Sequence, residues 1–136
     1  MRADIQIVIN EIEKSLSLLR QRLDWDNVKK KREEFDALTE DPDLWNEPDK
    51  AQKLMRARQN FIDQVDGHDT ISNELKDNIE LIELAEIEAD EEILQVVVAA
   101  LQKLKKRASS KELEGLLNGE ADGNDSFLEI HAGAGG

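Results

Sequence analysis

Acidic side chains between residues 77 and 102 form the densest set of groups in the sequence that could do chemistry. This stretch holds eight acids and no lysine or arginine, and Glu80, Glu83, Glu86 and Asp90 follow roughly helical spacing. Paired carboxylates bind divalent ions or, when buried, do acid–base chemistry. Nothing in the pattern indicates burial, and no Glu-x-x-His pair is present. The pattern therefore favours a solvated helix face over a metal site.

The presence of only two histidines and no cysteine limits the other catalytic and metal-binding chemistry that the chain could carry. His68 falls on an apolar helical seam, which predicts a packed interface histidine rather than a ligand. His131 lacks a serine or cysteine nucleophile in a recognised context. With no cysteine, thiol nucleophiles, disulfides and Cys-ligated metals are excluded. We therefore expect no catalytic, cofactor-binding or metal-binding residue, and no enzyme activity in this chain.

Two basic clusters, at residues 29–32 and 103–107, interrupt the acidity. Either could contact RNA phosphates or an acidic partner. Neither has interleaved aromatic residues, and cations at 103–107 suit the negative end of a helix. Solvated or intramolecular charge is the favoured interpretation, with nucleic-acid contact as the alternative. The glycine-rich residues 133–136 are a weak match to a phosphate loop, because no Lys-Ser or Lys-Thr follows.

The composition narrows the class of protein further. The chain has 136 residues, about one domain's worth, and 18 basic against 31 acidic residues, a net charge of −13. A free-standing duplex DNA binder needs a basic face, so that class is disfavoured. No apolar run approaches the ~20 residues that span a bilayer, which predicts no membrane partner. The N-terminal residues lack a signal-peptide core, so we expect a cytoplasmic protein.

The apolar spacing predicts helices. The first carries a seam with alternating three- and four-residue steps: Ile5, Ile9, Ile12, Leu16, Leu19 and Leu23. Residues 24–27 offer caps for a second helix. That helix must stop before Pro42, because the residue preceding a proline avoids the α region. Pro48 suits the first turn of a third helix. Trp45, between the two prolines, is predicted to insert near Val28 and Phe35.

The third helix is predicted to continue through Gly67, because its seam keeps register from Leu54 to Ile82; a hairpin turn at Gly67 is the alternative. Asp90 caps a further helix. Ser109 and Glu112 predict a short last helix ending at Leu117, followed by turns at Asn118-Gly119 and Asp122-Gly123. Residues 127–131 are strand-like.

These elements predict an all-α fold, an elongated antiparallel helical bundle with coiled-coil-like seams and a short β or turn segment at the C-terminal end. We expect residues 1–110 to form a helical N-terminal domain. Residues 111–136 should be a linker and the start of a second domain that the chain enters only in part, with everything after about residue 118 poorly ordered or held by another molecule.

One segment is distinctive beyond its physics: residues 40–53, Glu-Asp-Pro-Asp-Leu-Trp-Asn-Glu-Pro-Asp-Lys-Ala-Gln-Lys. It resembles the Asp-Pro-x-aromatic-Trp-x-x-Pro-x-x-Ala-Gln segment of bacterial class I peptide chain release factors of type 2, with Leu44 where an aromatic also occurs. Residues 23–26, 81–85, 118–120 and 127–136 match that family as well, in order along the chain. Type 1 factors share the glycine-rich segment but not the Trp–Pro–Ala-Gln segment.

The resemblance implies a role in translation termination. Such factors recognise UGA or UAA with a Ser-Pro-Phe tripeptide and trigger peptidyl-tRNA hydrolysis with a Gly-Gly-Gln loop, and neither tripeptide occurs here. The implied partner is the ribosome. Other domains would contact rRNA and the stop codon, and this domain would contact the stalk base of the large subunit. A termination GTPase is a further candidate partner. The alternatives are an acidic coiled-coil scaffold with no ribosomal role and, with no constellation to support it, a hydrolytic enzyme.

Overall fold

The computed structural model describes residues 1–122, with side chains up to residue 117. Within these residues the chain forms helices and no strand, so the all-α prediction is confirmed. The α-helices are α1 (Ala3–Leu23), α2 (Val28–Thr39), α3 (Pro48–Glu88) and α4 (Glu91–Asp122). Short 3-10 helices, Trp25–Asn27 and Pro42–Asn46, flank α2.

The main core lies between α1, the second half of α3 and α4. The seam predicted in α1 is buried, and Ile12 and Leu19 have no exposed surface. Two contacts give the direction of α1 relative to α3, because the amino group of Met1 lies 3.4 Å from Glu86 and Arg20 lies 2.9 Å from His68, while α4 reverses from α3 across a short turn. Helix α3 is thus antiparallel to both neighbours, as the bundle prediction requires, and α1 is parallel to α4.

A second, smaller core lies where α2 and the 3-10 helix Pro42–Asn46 cover the first half of α3. Phe35 is fully buried there, and its ring centroid lies 5.5 Å from that of Phe61. Helix α2 ends at Thr39, before Pro42, and Pro48 occupies the first turn of α3, both as predicted. Helix α3 therefore contributes buried side chains to both cores.

Gly67 lies inside α3, which confirms the continuous helix and excludes the hairpin turn. It marks a close approach of α3 and α4, because a Cβ at this position would overlap Cε of Lys111. One turn away the arrangement is reversed: a Cβ on Gly115 of α4 would lie 2.6 Å from Oε1 of Gln64 on α3. Each helix thus places a glycine opposite a long side chain of the other.

The turn between α3 and α4 is tightly defined. Ala89 adopts a left-handed conformation, with φ of 53°, and the Asp90 N–H donates to the carbonyl of Ala85 at 2.9 Å, the long bond of a Schellman motif. The predicted Asp90 cap is confirmed, because the Ile93 N–H donates to Asp90 Oδ1 at 3.1 Å.

Two local predictions about helix ends are wrong. Helix α4 continues through Asp122, so Ser109 and Glu112 do not start a new helix and Asn118-Gly119 is not a turn. Contacts with α1 and α3 explain this, because Ala108 is fully buried and Gly115 packs on Gln64, and packing outweighs local stop signals. The expected caps for α2 also fail, since Asn27 makes no side-chain cap and instead donates to Asp24. Residues 127–131 lie outside the described part.

The prediction for Trp45 is wrong as well. Its side chain is 58% exposed, whereas the neighbouring Leu44 is 9% exposed and belongs to the smaller core. The Asp43 N–H donates to the Asp41 carboxylate at 3.0 Å and fixes the turn. Successive residues of a 3-10 helix point about 120° apart, so turning Leu44 inward directs Trp45 to solvent.

Substituting the two neighbours should separate their roles. Leu44→Ala should lower the free energy of unfolding by about 2–3 kcal/mol, because it removes buried methyl groups from the smaller core. Trp45→Ala should change it by no more than about 0.5 kcal/mol, as expected for an exposed residue. Urea unfolding measures both. A Trp45 variant that loses more stability than the Leu44 variant would contradict the assignment.

Gln64 provides a second test, because its side-chain amide is buried and neither polar atom has a hydrogen-bond partner. An unsatisfied buried polar group is costly, so Gln64→Leu should raise the free energy of unfolding by about 1 kcal/mol. Gln95→Leu, on the exposed face of α4, is the matched control and should have little effect. Destabilisation by Gln64→Leu beyond that of the control would show that the amide has a favourable role.

Candidate functional site

The acidic residues that the sequence analysis singled out do not converge. Glu80 and Glu83 are exposed, Glu86 faces the amino group of Met1, and the Asp90 carboxylate caps α4. Among the described residues, no group of three or more His, Asp or Glu side chains could hold a metal ion. These carboxylates therefore form a charged surface and helix-end contacts rather than a reaction centre.

His68 is a packed interface histidine, as predicted, with 4% of its surface exposed. Its ring lies 4.2 Å from that of Trp25, centroid to centroid. Arg20 lies 2.9 Å from Nε2, and since arginine only donates, Nε2 must accept. The remaining proton is then on Nδ1, which donates to the Asp69 carboxylate at 3.1 Å. His68 thus links α1 to α3. His131 and residues 133–136 lie outside the described part.

The far end of the α3–α4 hairpin exposes apolar side chains among the acids. We call this surface the acidic–apolar tip and define it by five side chains of which 37% to 82% is exposed: Leu81, Leu84, Ile87, Ile93 and Val96. This surface was not predicted from the sequence, because its apolar residues are interspersed with acidic ones. The available signal was that four of these residues, Leu81, Leu84, Ile87 and Val96, lie off the buried three-and-four seam; Ile93 fits the spacing but is 37% exposed.

Helical geometry places four members of the tip along one groove. The ion pair between Glu74 and Arg107 marks the sides on which α3 and α4 face each other. Leu81 lies about two turns beyond Glu74, on that side of α3, and Leu84 lies three residues further, turned about 60° toward solvent. Ile93 and Val96 lie four and three turns before Arg107, on the facing side of α4. The tip is therefore continuous across both helices.

A basic groove lies further along the same α3–α4 interface. It encloses about 400 Å³, and we define it by six lining residues: Gly67, Thr70, Lys106, Arg107, Ser110 and Lys111. Ile71 and Glu114 also line it. Arg107 pairs with Glu74, and Lys111 lies 3.5 Å from Glu114. The helix-end explanation for the cations at 103–107 is wrong, because α4 continues to Asp122.

The other basic cluster, at residues 29–32, lies on α2. Lys31 donates to the carbonyl of Leu23 at 3.2 Å, and Arg32 lies 3.9 Å from Asp36. Lys29 and Lys30 are exposed. Intramolecular contacts thus account for half of this cluster.

A smaller cleft of about 170 Å³ lies beside the Pro42–Asn46 turn and is lined by Asp41, Asp43 and Glu47 with apolar neighbours. The Asp41 carboxylate accepts a hydrogen bond from the Asp43 N–H, and Glu47 pairs with Lys50 at 3.2 Å. Its acids therefore stabilise the turn. None of the helices in the described part is long and apolar enough to cross a membrane.

The comparisons with known proteins identify the family of the chain. The PCRF domain family matches residues 28–136. Over all 136 residues the chain is 55% identical to peptide chain release factor 2 of Roseobacter denitrificans and 52% identical to that of Ruegeria sp., and it spans 36% of each relative. It is 43% identical to release factor 2 of Paramagnetospirillum magneticum, covering 37% of it.

The chain thus spans about a third of the length of these curated relatives. The family match covers most of the chain and the relatives match all of it, including the segment around Trp45 that carries the resemblance. The chain therefore belongs to the bacterial peptide chain release factors of type 2, and residues 28–136 carry the family's PCRF domain.

Proposed function

We propose that this chain is the N-terminal, ribosome-binding domain of a factor that recognises UGA and UAA and triggers peptidyl-tRNA hydrolysis by the ribosome. The observation that carries the proposal is the family match along the whole chain, which is 55% identical over 136 residues to the Roseobacter denitrificans relative. Residues 1–110 form the binding domain, and the rest leads toward the domains that read the codon and act at the peptidyl-transferase centre. The cytoplasm is the compartment that this role requires.

The domain contributes binding rather than chemistry. Its sequence holds neither Ser-Pro-Phe nor Gly-Gly-Gln. Its buried histidine links two helices, and the acids near the tip are exposed or cap a helix. An element that touches no reacting atom lowers the barrier only through binding energy that it makes available to the complex.

The acidic–apolar tip is the surface we assign to the stalk-base region of the large subunit. Exposed leucine, isoleucine and valine side chains supply the apolar centre that protein interfaces need, and the surrounding acids favour a basic protein surface. Residues 77–102 carry eight acidic residues and no lysine or arginine, so the tip would repel the phosphates of RNA. A termination GTPase is a second candidate partner for the domain.

A chimera tests the proposal. This chain replaces the matching segment of the Roseobacter denitrificans relative, and peptide release is measured on stop-programmed ribosomes. We expect release at UGA and UAA and none at UAG, and no release by the 136-residue chain alone. Deleting residues 1–110 should leave the rate at saturating factor within about threefold and raise the half-saturating concentration by about tenfold or more. Loss of the saturating rate with unchanged binding would refute the binding role.

A surface variant of the same chimera tests the tip. Leu84→Ser with Val96→Ser should weaken ribosome binding by about three- to tenfold, because exposed apolar anchors carry much of an interface's free energy. The matched control is Trp45→Ser with Met55→Ser, which removes two exposed apolar side chains from the other end of the domain. Equal losses in both variants would show that the tip is not a specific contact.

A further inference from the structure

We propose that the basic groove between α3 and α4 binds the phosphate backbone of RNA. The inference deepens the proposed function, on which it rests for the RNA, because it gives this domain an rRNA contact of its own. The family resemblance implies such contacts for other domains, and a helix end would account for the cations at 103–107. Helix α4 continues about fifteen residues past Arg107, so that explanation is gone.

The concentration of positive charge on α4 is unusual for this chain. Residues 103–111 hold five cations and no acid, in a protein whose net charge is −13. Lys105 pairs with Glu11 on α1, Arg107 with Glu74 on α3, and Lys111 with Glu114. Lys103 and Lys106 are exposed and have no acidic partner within the described part of the chain. Positive charge therefore remains after the intramolecular pairs are counted.

The spacing aligns these groups. Residues 103, 107 and 111 are four positions apart, and so are 106 and 110, so all five lie on one side of α4, about 140° wide. Thr70 lines the groove from α3 and Ser110 lines it from α4, and each side chain carries a hydroxyl. Lysine, arginine, serine and threonine are the side chains that contact phosphate and sugar in nucleic-acid complexes.

Gly67 gives the groove its shape. Because α3 has no side chain there, Lys111 lies directly across the helix and is only 20% exposed. Glu114 and Glu74 hold Lys111 and Arg107 at the edges, which orders two cations before a ligand arrives. A pre-ordered cation loses less conformational entropy when it binds a phosphate.

The lining favours RNA over an acidic protein. None of the residues that line the groove is aromatic, and Ile71, its one large apolar member, is 3% exposed. Protein interfaces are depleted in lysine and depend on aromatic and apolar anchors. Apart from Glu114, which pairs with Lys111, the groove offers cations and hydroxyls with no apolar anchor, which fits a sugar–phosphate chain.

Fluorescence anisotropy of a fluorescein-labelled RNA hairpin, titrated with the 136-residue chain at several salt concentrations, tests the proposal. We expect binding at low salt. Lys106→Gln with Lys111→Gln, both in the lining of the groove, should weaken it by about fivefold or more and reduce the slope of log K against log salt by about 1.5, the value for two lost phosphate contacts. Thr70→Val with Ser110→Ala should cost about two- to threefold and leave the slope unchanged.

The control removes the same charge elsewhere. Lys29→Gln with Lys30→Gln changes two exposed lysines on α2 and should weaken binding by less than about twofold. Circular dichroism verifies that each variant is helical. Equal effects of the two lysine pairs, no binding by the wild-type chain, or displacement of the RNA by poly-glutamate at matched charge would each overturn the proposal.

The outcomes separate this inference from the proposed function. If the 136-residue chain binds RNA through the groove but the chimera fails to terminate translation, the proposed function alone is contradicted. A chimera that terminates normally, in a chain whose RNA binding ignores the groove variants, contradicts this inference alone.

Discussion

Helix α3 is the element on which the domain depends, because its 41 residues contribute buried side chains to both cores. The first half holds α2 and the Pro42–Asn46 turn, and the second half holds α1 and α4. A break near Gly67 would separate the smaller core from the main one, and the smaller core, with seven buried apolar residues, would be marginally stable alone. The continuity of α3 therefore fixes the distance between the smaller core and the acidic–apolar tip.

The weakest point of that helix is also where α4 approaches it most closely. Gly67 costs about 1 kcal/mol relative to alanine in a helix interior. The cost is offset by packing, because Lys111 lies across Gly67 and Gln64 lies against Gly115. His68, next along the chain, adds the bond to Arg20 that links α3 to α1. The same close approach shapes the basic groove, so the architecture and the candidate RNA contact share one cause.

Much of this could be predicted from the sequence, since helical seams depend on periodicity alone. The run from Ile5 to Leu23, the passage of α3 through Gly67 and the Asp90 cap follow from spacing and local chemistry. Predictions that needed tertiary knowledge failed. The end of α4 was placed too early because contacts of Ala108 and Gly115 outweigh local stop signals. The prediction chose Trp45 rather than Leu44 as the buried residue, because residue type does not reveal which side of a short 3-10 turn faces the core.

The candidate surfaces were harder to predict than the helices. Both basic clusters are visible in the sequence, because runs of lysine and arginine stand out in an acidic chain. The tip was missed because exposed apolar residues differ from buried ones only by their phase around the helix. The groove could not be predicted from the sequence, since Gly67, Thr70 and Lys106 are brought together only by the packing of α3 on α4.

Amide hydrogen exchange, followed residue by residue by NMR, tests the central claim most directly. If α3 is one continuous helix that joins both cores, the amides from Gly67 to Ile71 should exchange only through global opening. Their exchange free energies should then match those of Phe61 and Leu75 on either side. Fast exchange confined to residues 66–70, with protected amides on both sides, would show two separately folding halves joined by a hinge, and the account would be wrong.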